Sequence, residues 1–340
     1  MARRLDDVCV VVPTIGRRSL NRLLAALAAQ HVPVRQVVVV DDRRVRDRPL
    51  QVPASLRRRA VVLSSGGRGP AAARNVGWRA SEFPWIVFLD DDVVPSPTWS
   101  LQLGEDLAVP EDVGATQGRI VVPPPRGRRP TDRERNVTLL EAAEWITADM
   151  AVRRHALADV AGFDERFRRA YREDSDFALR LLERGWRLER GARRSTHPAQ
   201  PAPWWASVAA QRGNRDDALM RALHGRNWRS DRGRRPRHAV TAGAAVAAAV
   251  LAGTRHRRLA AIPAAIWFGG TAEFALARIA PGPRHPSEVA TMLVTSLLIP
   301  PTAVAYWIAG RVAHPAGRTR PWKQRPEGDV SAGWRPGTRT

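Results

Sequence analysis

Two apolar runs in the first hundred residues lead straight into carboxylates. Four valines, residues 37–40, precede Asp41-Asp42, and Trp85–Leu89 precedes Asp90-Asp91-Asp92. Three adjacent aspartates resist ionising together, because each negative charge favours protonation of its neighbours. A hard divalent cation, Mg²⁺ or Mn²⁺, relieves this and can hold carboxylate and phosphate oxygens in one place. Arg68 and Arg74 lie in and just beyond the stretch Gly66-Gly67-Arg68-Gly69-Pro70, and such cations pair with a diphosphate. A solvated acidic turn accounts for either cluster alone. Both at one sheet edge, flanked by arginines, point to a metal-and-anion site. Downstream, Glu173-Asp174 and Asp176 open a helix-like stretch over 177–184, where acidic residues also serve as caps.

Regular elements must hold these groups. Residues 8–12, 37–40, 60–63 and 85–89 are unbroken and mostly β-branched or aliphatic, the pattern of strands covered on both faces in a parallel sheet. Leu20, Leu23, Leu24 and Leu27 recur at i, i+3, i+4 and i+7 and predict an amphipathic helix. Residues 71–80 predict a second helix after the glycine-rich turn. The fold class is therefore α/β: a Rossmann-like, mostly parallel sheet flanked by helices, with its ligand at the carboxyl ends of the strands.

Residues 122–130, rich in proline and arginine, predict a surface loop, and helical and mixed segments follow to 228. A polar, basic linker is expected over 229–238. Residues 239–310 then lose nearly all charge. As a helix, 239–253 would be about 22 Å long. Residues 259–277 hold one charge, Glu273, and 289–310 hold none, enough to cross a hydrocarbon core of about 30 Å. Pro300-Pro301 would kink the last segment, which membrane helices tolerate. Without the polar face of a soluble surface helix, these stretches are read as membrane-associated helices. The positive-inside tendency makes 239–253 a shallow interfacial helix, with 259–277 crossing outward and 289–310 returning. Arg278 and Arg284 would then lie outside, and residues 311–340 form a basic, flexible cytosolic tail.

The 340 residues carry 55 Lys+Arg against 33 Asp+Glu, a formal net charge of +22. Lys323 is the only lysine, and residues 231–340 carry half of the excess. That concentration suits an anionic membrane surface. No zinc-finger spacing, RNA-recognition signature or basic stripe with interleaved aromatics accompanies it, so no specific nucleic acid is expected as partner. The single cysteine, Cys9, excludes an internal disulfide framework and a Cys-rich zinc site. The apolar run at 8–12 is too short for a cleaved signal peptide.

Five segments in order carry a resemblance. They are Val10-Val11-Val12-Pro13-Thr14 with Arg17; Val39-Val40-Asp41-Asp42; Gly67 to Asn75; Phe88-Leu89-Asp90-Asp91-Asp92; and, downstream, Ala161 to Phe167 followed by Glu173-Asp174-Ser175-Asp176-Phe177 with Arg180. Together they resemble a family 2 glycosyltransferase over about residues 6–200. The resemblance implies a GT-A fold and a catalytic domain over 1–228, with a nucleotide-sugar half at about 6–120 and an acceptor half at 121–228.

It also implies roles. Pro13, Thr14 and Arg17 would line the base pocket, and Asp42 would contact base or ribose. Gly69 would let backbone approach an anion, and Arg74 would approach the diphosphate. Asp90 and Asp92 match the family's Asp-x-Asp metal motif, with Asp92 the direct ligand and Asp91 the alternative. His197 stands where many relatives carry a histidine that reaches the metal or diphosphate. Glu173 and Asp174 match the segment that supplies the base for the acceptor hydroxyl, Asp174 being that base. One base and direct attack imply inversion at the anomeric carbon. Ala148-Asp149 depart from the Gly-Asn pair common in relatives, which bears on the acceptor. Trp204-Trp205 suit an acceptor sugar or a membrane interface equally.

The expected protein is an inverting transferase of the cell membrane, catalytic domain on the cytoplasmic face, that moves a sugar from a nucleotide-sugar donor to a glycan or lipid-linked acceptor. A sugar nucleotidyltransferase shares a similar fold. Its Gly-rich, Arg-containing signature would follow the first strand, where this chain has Pro13-Thr14-Ile15-Gly16. A non-catalytic basic protein binding membrane or nucleic acid is the third reading, and intact Asp90, Asp92 and Asp174 stand against it.

Overall fold

The computed structural model describes residues 5–228 and 233–315. Eight strands form one sheet: β1 (Val8–Thr14), β2 (Gln36–Asp41), β3 (Ala60–Ser64), β4 (Trp85–Leu89), β5 (Val94–Pro95), β6 (Val113–Val121), β7 (Asp149–Arg153) and β8 (Arg187–Thr196). Their order is β3-β2-β1-β4-β7-β6-β8-β5. The four strands read from apolar runs pair in parallel. Beyond β4 the sheet is mixed: β7 runs antiparallel to β4 and β6, while β8 runs parallel to β6. Parallel strands end on one edge, so Thr14 of β1 pairs with Asp41 of β2, and Asp41 in turn with Ser64 of β3. β3 departs from the expectation of burial on both faces. It is the edge strand, and Val61 and Val62 are exposed, because an apolar run marks a strand without saying where it lies in the sheet.

Two apolar layers sandwich the sheet. On one side Leu20, Leu23, Leu24 and Leu27 of the helix Ser19–Ala28 pack with Val10, Val12, Val37 and Val39. On the other, Val11, Val38, Val40 and Phe88 meet Phe163 and Phe177. Alternate residues of each strand serve opposite layers, as a pleated strand requires. The helix Pro70–Arg79 begins with proline directly after Gly69, where the missing N–H is tolerated. A Cβ at Gly77 would collide with Val11, so this glycine lets the helix lie close on the sheet.

Charge is also buried beneath the sheet's carboxyl edge. Arg193 of β8, fully buried, donates to Asp149 Oδ1 at 2.7 Å, to Asp106 Oδ2 at 2.9 Å and to the Thr116 hydroxyl at 2.9 Å. Asp149 also accepts from Trp99 Nε1 and the Ser195 hydroxyl. Breaking such a pair strands the partner's charge, at a cost of about 3–5 kcal/mol. Arg193→Met is expected to lower stability by about that amount, read as a large drop in the thermal or urea midpoint. An unchanged midpoint would show that the network carries no stability.

Three further helices follow: Arg235–Ala252, Ala261–Ile279 and Pro286–Ala313. The first reaches back into the expected linker. Residues 229–232 of that linker, and 316–340 of the expected tail, lie outside the described residues. By length and composition two segments, Arg257–Ile279 and Pro286–Ala313, suffice to cross a membrane. Both also pack against the α/β domain. Arg278, which the positive-inside expectation sets outside, is buried and donates to Asp132 Oδ2 at 2.8 Å on the α/β domain. Pro286–Ala313 packs along the domain's helix Asn214–His224, where a Cβ on Gly310 would come within 2.8 Å of Arg215 and Ala218. The charge-counting rule considers arginines singly and is blind to a carboxylate partner 146 residues away.

Candidate active site

The carboxyl edge of the sheet gathers nearly all the expected residues. Pro13 and Thr14 end β1, and the Thr14 hydroxyl donates to Asp91 Oδ2 at 2.6 Å. Arg17 Nη1 donates to Asp91 Oδ1 and to Asp92 Oδ2, each at 3.1 Å. Both oxygens of the buried Asp91 are thus engaged in fixing the turn after β1. Burial pushes the Asp91 carboxyl up, with Asp92 and Asp90 adding to the effect and Thr14 and Arg17 opposing it.

Asp42 fixes the glycine-rich loop. Its carboxylate accepts from the Ser65 hydroxyl at 2.6 Å and from the Gly69 amide at 3.0 Å. Gly69 has φ +104°, and a Cβ there would lie 2.6 Å from the Arg168 carbonyl oxygen. Only glycine accepts both constraints. The contact brings the loop of the first half against the segment that precedes Glu173.

Arg74 is buried, and its fork joins two carboxylates from distant sequence. Nη2 donates to Asp90 Oδ1 at 2.7 Å, and Nη1 to Glu173 Oε1 at 2.9 Å. Its guanidinium also lies 5.6 Å from the Phe163 ring centroid. Phe163 stacks on Phe177 at 4.4 Å and meets Phe88 edge-on at 5.1 Å. This aromatic cluster ties β4, which carries Asp90, to the helix Glu173–Glu183, which carries Asp174.

Asp174 lies in the first turn of that helix, two residues after Arg172, which precedes the helix in the left-handed region at φ 76°. Its Oδ1 accepts the Ser175 amide at 2.7 Å. Burial raises the affinity of Asp174 for a proton; Arg74 and the Ser175 amide oppose this, and Asp90 reinforces it. Glu173 shifts the same way, through burial and the neighbouring Asp174 charge, against the pull of Arg74. Its Oε2 is buried with no hydrogen-bond partner among the described residues. Asp176 sits deeper, bound to His224 Nε2 at 2.8 Å and to Arg180, so it supports the helix rather than facing the cleft.

His197 follows β8, and its Nε2 lies 3.3 Å from Asp92 Oδ1. Burial lowers the histidine's proton affinity, but Asp92 more than offsets this and the net shift is upward. Burial acts on Asp92 in the opposite sense to its neighbours, and His197 and Arg17 hold its carboxyl below the usual range. Nδ1 of His197 is buried with no hydrogen-bond partner among the described residues. Oxygen and imidazole donors of this kind fit Mg²⁺ or Mn²⁺. Among the described residues no three such side chains converge tightly enough to hold an ion alone, so a bound ligand's oxygens would complete the shell.

A cleft of 630 Å³ opens beside Asp92, lined by Arg17, Arg18, Arg22 and Arg133 with Gln200. Arg133 was not read from sequence. A signal existed in Thr131 and Glu134, which form the capping box of the helix Asp132–Thr138 that carries it. Asp149, noted only as a departure, serves the buried Arg193 network.

An α/β domain that gathers carboxylates and arginines at the carboxyl edge of its strands belongs to the anion-handling enzyme architectures. Residues 9–176 match the model of glycosyl transferase family 2, and the chain carries a domain of that family with the GT-A architecture. The pre-mycofactocin glycosyltransferase of Mycobacterium tuberculosis is 31% identical over 198 residues, 54% of this chain and 40% of that protein. The chondroitin synthase of Escherichia coli is 26% identical over 114 residues, 32% of this chain and 17% of that one. The chain therefore spans less than half the length of these relatives. Among solved structures, the mannosyltransferase PcManGT of Pyrobaculum calidifontis, in complex with GDP-Man and Mn²⁺, superposes with a TM-score of 0.49 at 21% identity. That match covers 92% of this chain and 87% of the other.

Proposed function

We propose that this protein is a membrane-associated, inverting glycosyltransferase that moves a sugar from a nucleotide-sugar donor to a hydroxyl of a glycan or lipid-linked acceptor. The setting proposed is cell-envelope polysaccharide or glycolipid synthesis, with the catalytic domain on the cytoplasmic face of the cell membrane. One observation carries the reading: Arg74 bridges Asp90, at the donor end of the sheet, to Glu173, beside Asp174. One guanidinium thus holds the two carboxylate segments side by side.

The chemistry follows from these groups. Asp174 accepts the proton of the acceptor hydroxyl as its oxygen attacks the anomeric carbon. The bond from that carbon to the leaving phosphate breaks on the opposite face, and a single displacement inverts the centre. Arg17 and the arginines of the cleft would stabilise the negative charge that collects on the departing diphosphate. Asp92 and His197, with Asp90 beside them, would hold Mg²⁺ or Mn²⁺, which when bound would neutralise part of that charge.

The test is nucleotide-sugar turnover by the purified chain with Mn²⁺, comparing UDP-, GDP- and dTDP-sugars. Turnover is expected with at least one of the donors and is expected to vanish on chelation. Asp92→Asn, which keeps size and removes charge, is expected to lower transfer by orders of magnitude in a folded protein. Full activity in chelator would remove the metal from the proposal. Turnover of none of the donors, with salt-dependent binding of duplex DNA, would favour the basic-protein reading instead.

A further inference from the structure

We infer that residues 235–313 form an in-plane membrane anchor: the three C-terminal helices lie along an anionic phospholipid surface and do not cross it. This deepens the membrane association proposed above and rests on it. The helix Pro286–Ala313 meets the catalytic domain near both of its ends. Glu288 Oε1 accepts the Asp132 amide at 2.9 Å, and the Tyr306 hydroxyl accepts from Arg212 Nε at 3.3 Å. Gly310 lies against Arg215 and Ala218. Positions 288 and 310 are about 33 Å apart along a helix, more than a hydrocarbon core of about 30 Å. A domain confined to one side of a bilayer cannot touch a spanning helix at both points. The turn before this helix is held on the same side, since Arg135 donates to the Arg278 carbonyl and Arg278 to Asp132.

What the helices turn outward is apolar. In Pro286–Ala313 the buried stripe mixes Met292 and Ile299 with Thr295, Ser296, Ala303 and Gly310, while Leu293, Val294, Leu297, Leu298, Ile308 and Val312 are exposed. A helix on an aqueous surface has the opposite polarity. In Ala261–Ile279, Ile262, Ile266, Phe268 and Leu276 are exposed likewise, an amount of exposed apolar surface of the kind that marks an interaction site.

Charge selects the occupant. Residues 233–315 hold nine arginines and two acidic residues. Both acids are engaged, Glu273 by Arg234 and Arg237, Glu288 by the Asp132 amide. Arg255, Arg257, Arg258 and Arg284 are exposed at the turns that join the helices. A second copy of this chain would set like charges together, whereas anionic headgroups complement them. The short helix Asp132–Thr138 then links anchor and chemistry: Asp132 holds Arg278, and Arg133 lines the cleft beside Asp92. The active-site mouth is thereby set at the bilayer surface, open to a water-soluble donor and a membrane-borne acceptor.

Sidedness tests the inference in the full chain. Cys9 is buried, so an impermeant maleimide reads only an added cysteine. Arg284→Cys marks the turn and Glu111→Cys the exposed catalytic surface. Both variants are expected to react in the same orientation of membrane vesicles, inside-out or right-side-out, and neither in the other. The purified chain is expected to sediment with phosphatidylcholine vesicles that contain phosphatidylglycerol and far less with phosphatidylcholine alone. Labelling of Arg284→Cys and Glu111→Cys in opposite orientations overturns the in-plane anchor and leaves membrane association standing. Equal sedimentation with both vesicles overturns the choice of anionic lipid. A chain that stays soluble with both overturns membrane association itself.

Discussion

Asp174→Asn is expected to lower sugar transfer by about 10²- to 10⁴-fold, the usual worth of a general base, while the protein still binds its nucleotide-sugar donor. The amide keeps the shape and can still accept the Ser175 amide bond, but it cannot take a hydroxyl proton. Donor binding survives because the groups proposed for it, Thr14, Arg17 and Asp92, are joined to one another through Asp91 and not to Asp174. Calorimetry with donor and a transfer assay with acceptor separate the two effects, and near-normal transfer would remove Asp174 as the base. The wild-type pH profile makes the same point. Burial raises the proton affinity of Asp174, and the protonated carboxyl cannot act as acceptor. The rate should therefore fall on the acid side, through a pH above the ordinary aspartate range of about 4. Because Glu173 and Asp174 adjoin, that limb reports the pair. A limb at the ordinary aspartate value would mean that the base is solvated and lies elsewhere.

Arg74→Met is expected to be the most damaging substitution at the site, because it costs both fold and function. Asp90 and Glu173 each lose a charged partner at hydrogen-bond distance. Removing one side of a buried ion pair typically costs about 3–5 kcal/mol, and the Glu173 carboxylate, already unsatisfied at Oε2, would take most of the strain. Adding Glu173→Gln to Arg74→Met is expected to restore part of the lost midpoint in urea, since the amide neither carries the charge nor needs the proton uptake that burial already favours at this carboxyl. Arg74→Lys keeps the charge but loses the fork that reaches two carboxylates, so its midpoint should fall between wild type and Arg74→Met. If Arg74→Met melts with the wild type, or if Glu173→Gln makes it worse, the bridge is not what holds the two halves together.

Much of the N-terminal part of the sheet is legible in the sequence alone. Unbroken β-branched runs and a 3.6-residue leucine repeat are local consequences of backbone geometry, so β1, β2 and β4 and the helix Ser19–Ala28 lie where the residues place them. Parallel strands must end on one edge, and this alone brings Asp42, Asp90 and the turn after Thr14 together. The partners of those side chains were not legible. Nothing in the sequence shows that the fold sets Glu173, 99 residues away, against the guanidinium of Arg74. Asp91 and Asp92 are equivalent in sequence, yet Thr14 and Arg17 engage both oxygens of the first, while the second faces His197 across 3.3 Å. The C-terminal segments differ most. Hydropathy and length identify apolar helices correctly, because both are properties of the segment alone. Whether such a helix crosses a bilayer or lies along it depends on what its inner stripe packs against. Thr295 and Ser296 find Arg278, Gly310 finds Arg215, and Glu288 finds the Asp132 amide only once the chain has closed on itself. Short-range periodicity sets the elements; desolvation and pairing of charges far apart in sequence decide how they are arranged, and those energies exist only in the folded chain.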